Sequence, residues 1–128
     1  MARRTVQTAP PDGLTVIYNH IITLAGTLNI PATDIGDGVY LDKSSRYITY
    51  TCRADPEFFA DDAAQVDRYV VDINVFIPLT ENYRSWSQSF RYKMEGLGFT
   101  DVTFEGQVYD AEDDKRHIMF NGVYDFYR

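Results

Sequence analysis

The segment Val66 to Ile77 constrains the fold more than any other part of this chain. Tyr69, Val71, Ile73, Val75 and Ile77 fall on one side of a two-residue period, and Arg68, Asp72 and Asn74 on the other. That period belongs to a β-strand with one face toward a core and one toward water. Pro78 ends it, since proline brings no N–H to a ladder. A strand of this length needs sheet partners and a cover over its apolar side, which rules out an all-helical fold.

The cover comes from two amphipathic segments. Leu14, Ile17, Tyr18, Ile21, Leu24, Ala25 and Leu28 recur at three- and four-residue spacing and predict a helix over 14–28. Asp12 is placed to cap it, and Asn29 and Pro31 stop it. Tyr83, Trp86, Phe90, Met94 and Leu97 predict a second helix over 81–96, with Thr80 as N-cap and Gly96 or Gly98 as a left-handed C-cap. Residues 29–38 read as a loop and Val39 to Leu41 as a short strand. Tyr47 to Arg53 reads as a strand with Ile48, Tyr50 and Cys52 on one face. Val102 to Phe104 and Gln107 to Tyr109 read as strand pieces around Gly106. Ala111 to Asp114 reads as a polar turn, and Lys115 to Tyr127 as a long last strand bulged near Asn121-Gly122. The order is α-β-β-β-α-β-β. The expected fold is a two-layer α+β domain, a mostly antiparallel sheet packed by two helices. It spans 13–128, behind a flexible N-terminal arm over 1–12 that ends in Pro10-Pro11.

At 128 residues the chain can bury a core without a disulfide or metal. Its net charge of −7, with Arg3-Arg4 the only basic cluster, argues against binding a phosphate backbone. DNA could still pass such a surface without sticking. Ten Tyr and eight Phe are more aromatic residues than a small core absorbs, so part of them is expected at a surface that meets protein. With Cys52 as the one cysteine, no intramolecular disulfide can form. No apolar run approaches the ~18 residues of a membrane span, and the first residues lack the apolar stretch of a signal peptide. Synthesis in a cytoplasm is expected.

Chemistry-bearing patterns are sparse. Cys52 reads as a buried structural thiol. His20 and His117 stand apart, outside any HxxxH, HExxH or CxxC pattern, so neither a metal nor a cofactor is expected. The acids Asp110, Glu112, Asp113 and Asp114 lack the central glycine of a calcium loop. Gly96 and Gly98 follow a helix, whereas a phosphate-binding loop precedes one. The Tyr83-Trp86-Phe90-Met94 stripe reads as core. An enzyme site assembled from His117, Tyr109 and Asp72 would lack an ordered catalytic set, so no catalytic residue is assigned. Residues 55–65 are too long for a simple hairpin and carry Phe58 and Phe59 beside Asp61 and Asp62. The phenylalanines either fold back on the domain or insert into a neighbouring subunit.

Several segments, taken in order, resemble the tail-terminator (tail-completion) proteins of long-tailed bacteriophages. Tyr47-Ile48-Thr49-Tyr50 resembles that family's early "Pro-Tyr-Val-Thr-Tyr" strand, with Arg46 in place of the proline. Phe58-Phe59-Ala60-Asp61-Asp62 resembles its "Tyr-Ala-Asp-Asp/Asn" loop. The stretch Tyr69 to Val75 resembles its "Tyr-x-Val-x-Val" core strand. Leu97-Gly98-Phe99 resembles its "aliphatic-Gly-Phe" helix exit, and Tyr109-Asp110 with Lys115 to Phe120 its acidic turn and closing strand. The N-terminal arm has no counterpart.

The resemblance implies a structural virion protein without enzymatic activity or cofactor. It would form a ring, commonly a hexamer, on the head-proximal end of the tail tube, stopping tube growth and docking the head. Its partners would be further copies of itself, the tail tube protein and a head-completion or neck protein. DNA would be passing cargo, and no membrane is involved. Phe58, Phe59, Asp61 and Asp62 would be assembly contacts, with the two acids at the lumen or paired with a neighbour. The alternatives are another neck, head-completion or tail-tube protein, or a stand-alone α+β binding module.

Overall fold

The computed structural model describes residues 12–40, 44–54, 66–110 and 114–127. Helix α1, Gly13–Gly26, opens where Asp12 Oδ1 accepts the Thr15 N–H at 2.9 Å. A short 3-10 turn, Ala32–Asp34, leads into strand β1, Ile35–Asp37. Strands β2, Tyr47–Ala54, and β3, Val66–Pro78, come next. A second 3-10 turn, Tyr83–Ser85, precedes helix α2, Ser87–Gly96. Strands β4, Thr100–Asp110, and β5, Lys115–Tyr127, complete the chain.

The sheet order is β1-β2-β3-β5-β4, antiparallel except for the β1–β2 pair. This is the expected α+β arrangement, with β3 at its centre. Val71, Ile73, Val75 and Ile77 are fully buried, as their alternation requires. Ile17, Ile21 and Leu24 of α1 and Phe90 and Met94 of α2 join them in one core with Ile48, Ile118 and Phe120. Each such side chain contributes ~1.5–3 kcal/mol through burial. Both helices therefore lie on one face, here called the inner face.

Four local expectations are corrected. The first edge strand is Ile35–Asp37, not Val39 to Leu41; Val39 is 65% exposed, and Leu41 lies outside the described residues. Gly36 permits this path, because a Cβ there would sit 2.1 Å from the Val39 carbonyl oxygen. Helix α2 starts at Ser87, not near Thr80. Asn82 Oδ1 accepts the Arg84 N–H at 3.1 Å and caps the 3-10 turn instead. Trp86, at φ −128° and ψ −11°, then interrupts the helical path.

The third correction concerns β4, one strand rather than two pieces. Its register against β5 slips between Thr100 and Thr103 and again between Phe104 and Gly106. Asp101 and Gly106 take the positive φ values, 52° and 143°, that such bulges need. Fourth, β5 runs unbroken against β3 through Asn121-Gly122, so the irregularity lies across from that pair and not in it. Gly122 has a packing role: a Cβ there would meet Met94 Cε and Phe99 Cδ1 at 3.3 Å.

The exit from α2 follows the expected glycine cap, at Gly98 with φ +108°. Phe99 N–H reaches the Met94 carbonyl at 3.1 Å and Gly98 N–H the Glu95 carbonyl at 3.0 Å. This is a Schellman closure, and it brings buried Phe99 onto Met94.

Candidate functional site

The outer face of the sheet carries no helix among the described residues, yet its side chains are organised. Tyr40, Tyr47, Phe76 and His117 form one row of near-parallel rings across the sheet. Successive centroids are 4.4, 4.5 and 4.3 Å apart. Strand register builds the row, since Tyr47 is opposite Phe76 and Phe76 opposite His117. His117 Nε2 lies 2.8 Å from Asn74 Oδ1. Lys115 Nζ is 6.0 Å from the Tyr47 ring centre, a cation–π contact. Beyond the row, Asn121 donates to Asp72, and Arg68 donates two hydrogen bonds to Asp125, at 2.7 and 2.9 Å.

Ring faces that cover one another leave their edges outward. Phe76 has a ring on each side, so the row does not offer it as a platform for a nucleobase. The row, the polar pair and the bidentate ion pair make a preorganised surface suited to packing against protein.

A second feature lies at the end of the sheet where β3 stops. Leu79 to Arg84, Gln107 and Arg116 line a cleft of about 400 Å³. Arg116 stands on the inner face opposite Ile77. It donates to the Leu79 carbonyl at 3.2 Å and to the Gln107 side chain. The Arg84 guanidinium lies over the Tyr83 ring, 5.2 Å from its centre. Glu81 accepts from Arg46 and from Trp86 Nε1, the latter at 3.0 Å. Its charge is thus matched by Arg46, which is not among the lining residues, while Arg84 and Arg116 are the two cations of the lining.

Cys52, expected as a buried structural thiol, is half-buried at the margin of the core. Its thiol packs against the core, and burial, reinforced by Asp37 and Asp72, pushes its pKa up to about 12. A neutral thiol of this kind is a poor nucleophile. His20 Nε2 lies 3.2 Å from the Tyr124 hydroxyl, and burial lowers the histidine's pKa. Burial likewise raises Tyr124, and with Asp37 it lifts Tyr50 to about 12.

His20 is on the inner face and His117 on the outer, so the two histidines do not converge. Asp72 and His117 share the outer face but bind different partners, Asn121 and Asn74. Among the described residues no three His, Cys, Asp or Glu side chains are grouped to hold a metal. No helix there is long and apolar enough to cross a membrane. Phe58, Phe59, Asp61 and Asp62 lie outside the described residues. Neither the ring row nor the arginine cleft was singled out from sequence. Alternation placed Asn74 outward, which was the available signal for the row. No protein-family model matches the chain, and a search of curated proteins gave no match either.

Proposed function

We propose that this chain is a structural subunit of the tail-terminator kind: a ring former that caps a phage tail tube, ends its growth and docks the head. The observation that supports this most is the outer sheet face. It lacks a helical cover among the described residues, yet it is ordered by four stacked rings and a bidentate ion pair. Preorganised side chains reduce the entropy lost on association, so such a face favours assembly. The charge of −7 suits a ring whose lumen lets DNA slide. The further partners under this reading are the tail tube protein and a head-completion or neck protein.

Native mass spectrometry over a wide concentration range, with negative-stain imaging, tests the reading. Closed rings are expected, alone or on added tube ends. Open tubes would move the assignment to a tail-tube protein. A chain that stays monomeric alone and ignores tube ends would overturn the reading.

A further inference from the structure

Asn121-Gly122 is the one Asn-Gly dipeptide in the chain, and core packing requires its glycine. Gly122 is buried, and a Cβ there would meet Met94 Cε and Phe99 Cδ1 at 3.3 Å. A residue without a side chain also leaves its backbone nitrogen open to attack the preceding side-chain amide, which makes Asn-Gly the most labile asparagine setting. Asn19, Asn29, Asn74 and Asn82 are followed by His20, Ile30, Val75 and Tyr83, whose side chains shield that nitrogen. We propose that Asn121 is a conditional deamidation site: inert in the folded subunit, reactive in an opened chain, and converted to a product that the folded sheet disfavours. The inference is independent of the ring reading.

In the reaction the Gly122 nitrogen loses its proton and bonds to Asn121 Cγ, while Nδ2 takes up a proton and leaves as ammonia. Water then opens the succinimide. Cleavage of the new bond leaves aspartate. Cleavage at the original peptide carbonyl leaves isoaspartate, with the main chain rerouted through Cβ and Cγ. Ring closure needs Cγ and the Gly122 nitrogen to swing together about the Asn121 Cα–C bond. Strand β5 opposes this in two ways. Its ladder with β3 holds Asn121 opposite Asp72 and Gly122 opposite Val71, and Thr103 of β4 faces Asn121 from the other side. The Asn121 Nδ2 also donates to Asp72 Oδ1, which keeps the amide over the outer face.

The same contacts reject either product. Aspartate sets a second carboxylate where a donor faced Asp72, and the flanking residues across the sheet, Thr51 and Thr103, supply no cation. Isoaspartate adds one carbon to the β5 backbone inside a ladder that pairs Lys115 through Tyr127 residue for residue with β3.

The test incubates the full-length protein in mildly alkaline buffer, folded and in guanidinium chloride, and follows the tryptic peptide of residues 117–128 by mass spectrometry. That peptide holds one Asn and no Gln, so a gain of one dalton reports position 121 alone. The folded protein should convert at least about a hundredfold more slowly, since only ~10⁻³–10⁻⁶ of molecules are open. Equal rates overturn the proposal. Refolding the aged sample to a denaturant concentration near the unfolding midpoint should leave the native fraction depleted of converted chains. Equal conversion in the native and unfolded fractions overturns it too. N121D should lower the folding equilibrium constant about tenfold or more. D72N/N121D, which exchanges the two partners, should recover most of that loss and remains measurable if N121D fails to fold. A swap no more stable than N121D refutes the part given to Asp72.

Discussion

Replacing Phe76 by alanine tests whether the outer ring row is part of the folded subunit. The Phe76 ring lies between Tyr47 at 4.5 Å and His117 at 4.3 Å, with interplanar angles of 12° and 19°. A fully buried Phe→Ala change costs ~3–5 kcal/mol, and Phe76 is half-buried, so about 2 kcal/mol is expected. The two ring contacts supply much of this, at ~0.5–1.5 kcal/mol each. For a domain of this size the loss lowers the thermal midpoint by roughly 6–10 °C. Urea unfolding followed by Trp86 emission measures it cleanly. Trp86 sits on the inner face against Phe90 and Phe120, at 5.8 and 6.4 Å, away from the substitution. A double-mutant cycle with Tyr47→Leu should return a coupling of ~0.5–1.5 kcal/mol at low protein concentration, where the subunit is alone. A loss below ~0.5 kcal/mol, or zero coupling, would show that the row adds nothing to the subunit and refute the account of a preorganised face.

Three further outcomes are expected. Gly98→Ala should cost ~1–2 kcal/mol, because φ is +108° and the new Cβ would lie 3.2 Å from the Tyr124 ring. Gly26→Ala, at an open helical site, should gain ~0.5–1 kcal/mol; denaturant midpoints moving the same way in both would refute the packing account. His20 has a folded pKa below its ordinary 6.5, so the unfolded chain binds the proton more readily. This group's effect is therefore absent above 6.5, and stability falls as pH drops from there through the folded value. His20→Gln should flatten that part of the pH–stability curve, and an unchanged slope would clear His20 of the effect. Cys52, with its pKa near 12, should resist iodoacetamide in the native state at neutral pH and react once the chain is unfolded. Rapid native labelling would contradict the raised pKa of this half-buried thiol.

The elements that were legible in sequence carry long, regular patterns. The last strand occupies Lys115–Tyr127 as read, and the stripe of α1 and the alternation of β3 point where their periods send them. Short or competing signals were misread. Strand β1 is three residues long and centred on a glycine, so it shows no alternation, and its parallel pairing with β2 is a tertiary effect. Thr80 and Asn82 are both good caps, and the contact of Trp86 with Glu81 accompanies the choice of the later one. Asn121-Gly122 carries a turn signal, but its glycine answers to Met94 and Phe99 in the core. The arginine cleft was hidden because Arg84 and Arg116 meet only through the β3–β5 register and the chain reversal after Pro78. The ring row was hidden because Tyr40, Tyr47, Phe76 and His117 come from four separate segments.

The two slips in β4 bear on what this chain cannot become. Among the described residues one rim of the sheet is only Ile35–Asp37, and the other is β4 with its ladder broken twice. A rim that short, and a rim that irregular, are poor templates for another strand. Copies crowded together at high local concentration are thereby steered away from fusing their sheets into fibrils. A crowded cell can hold many unassembled copies without that hazard, which leaves the faces and ends of the sheet to decide when they join.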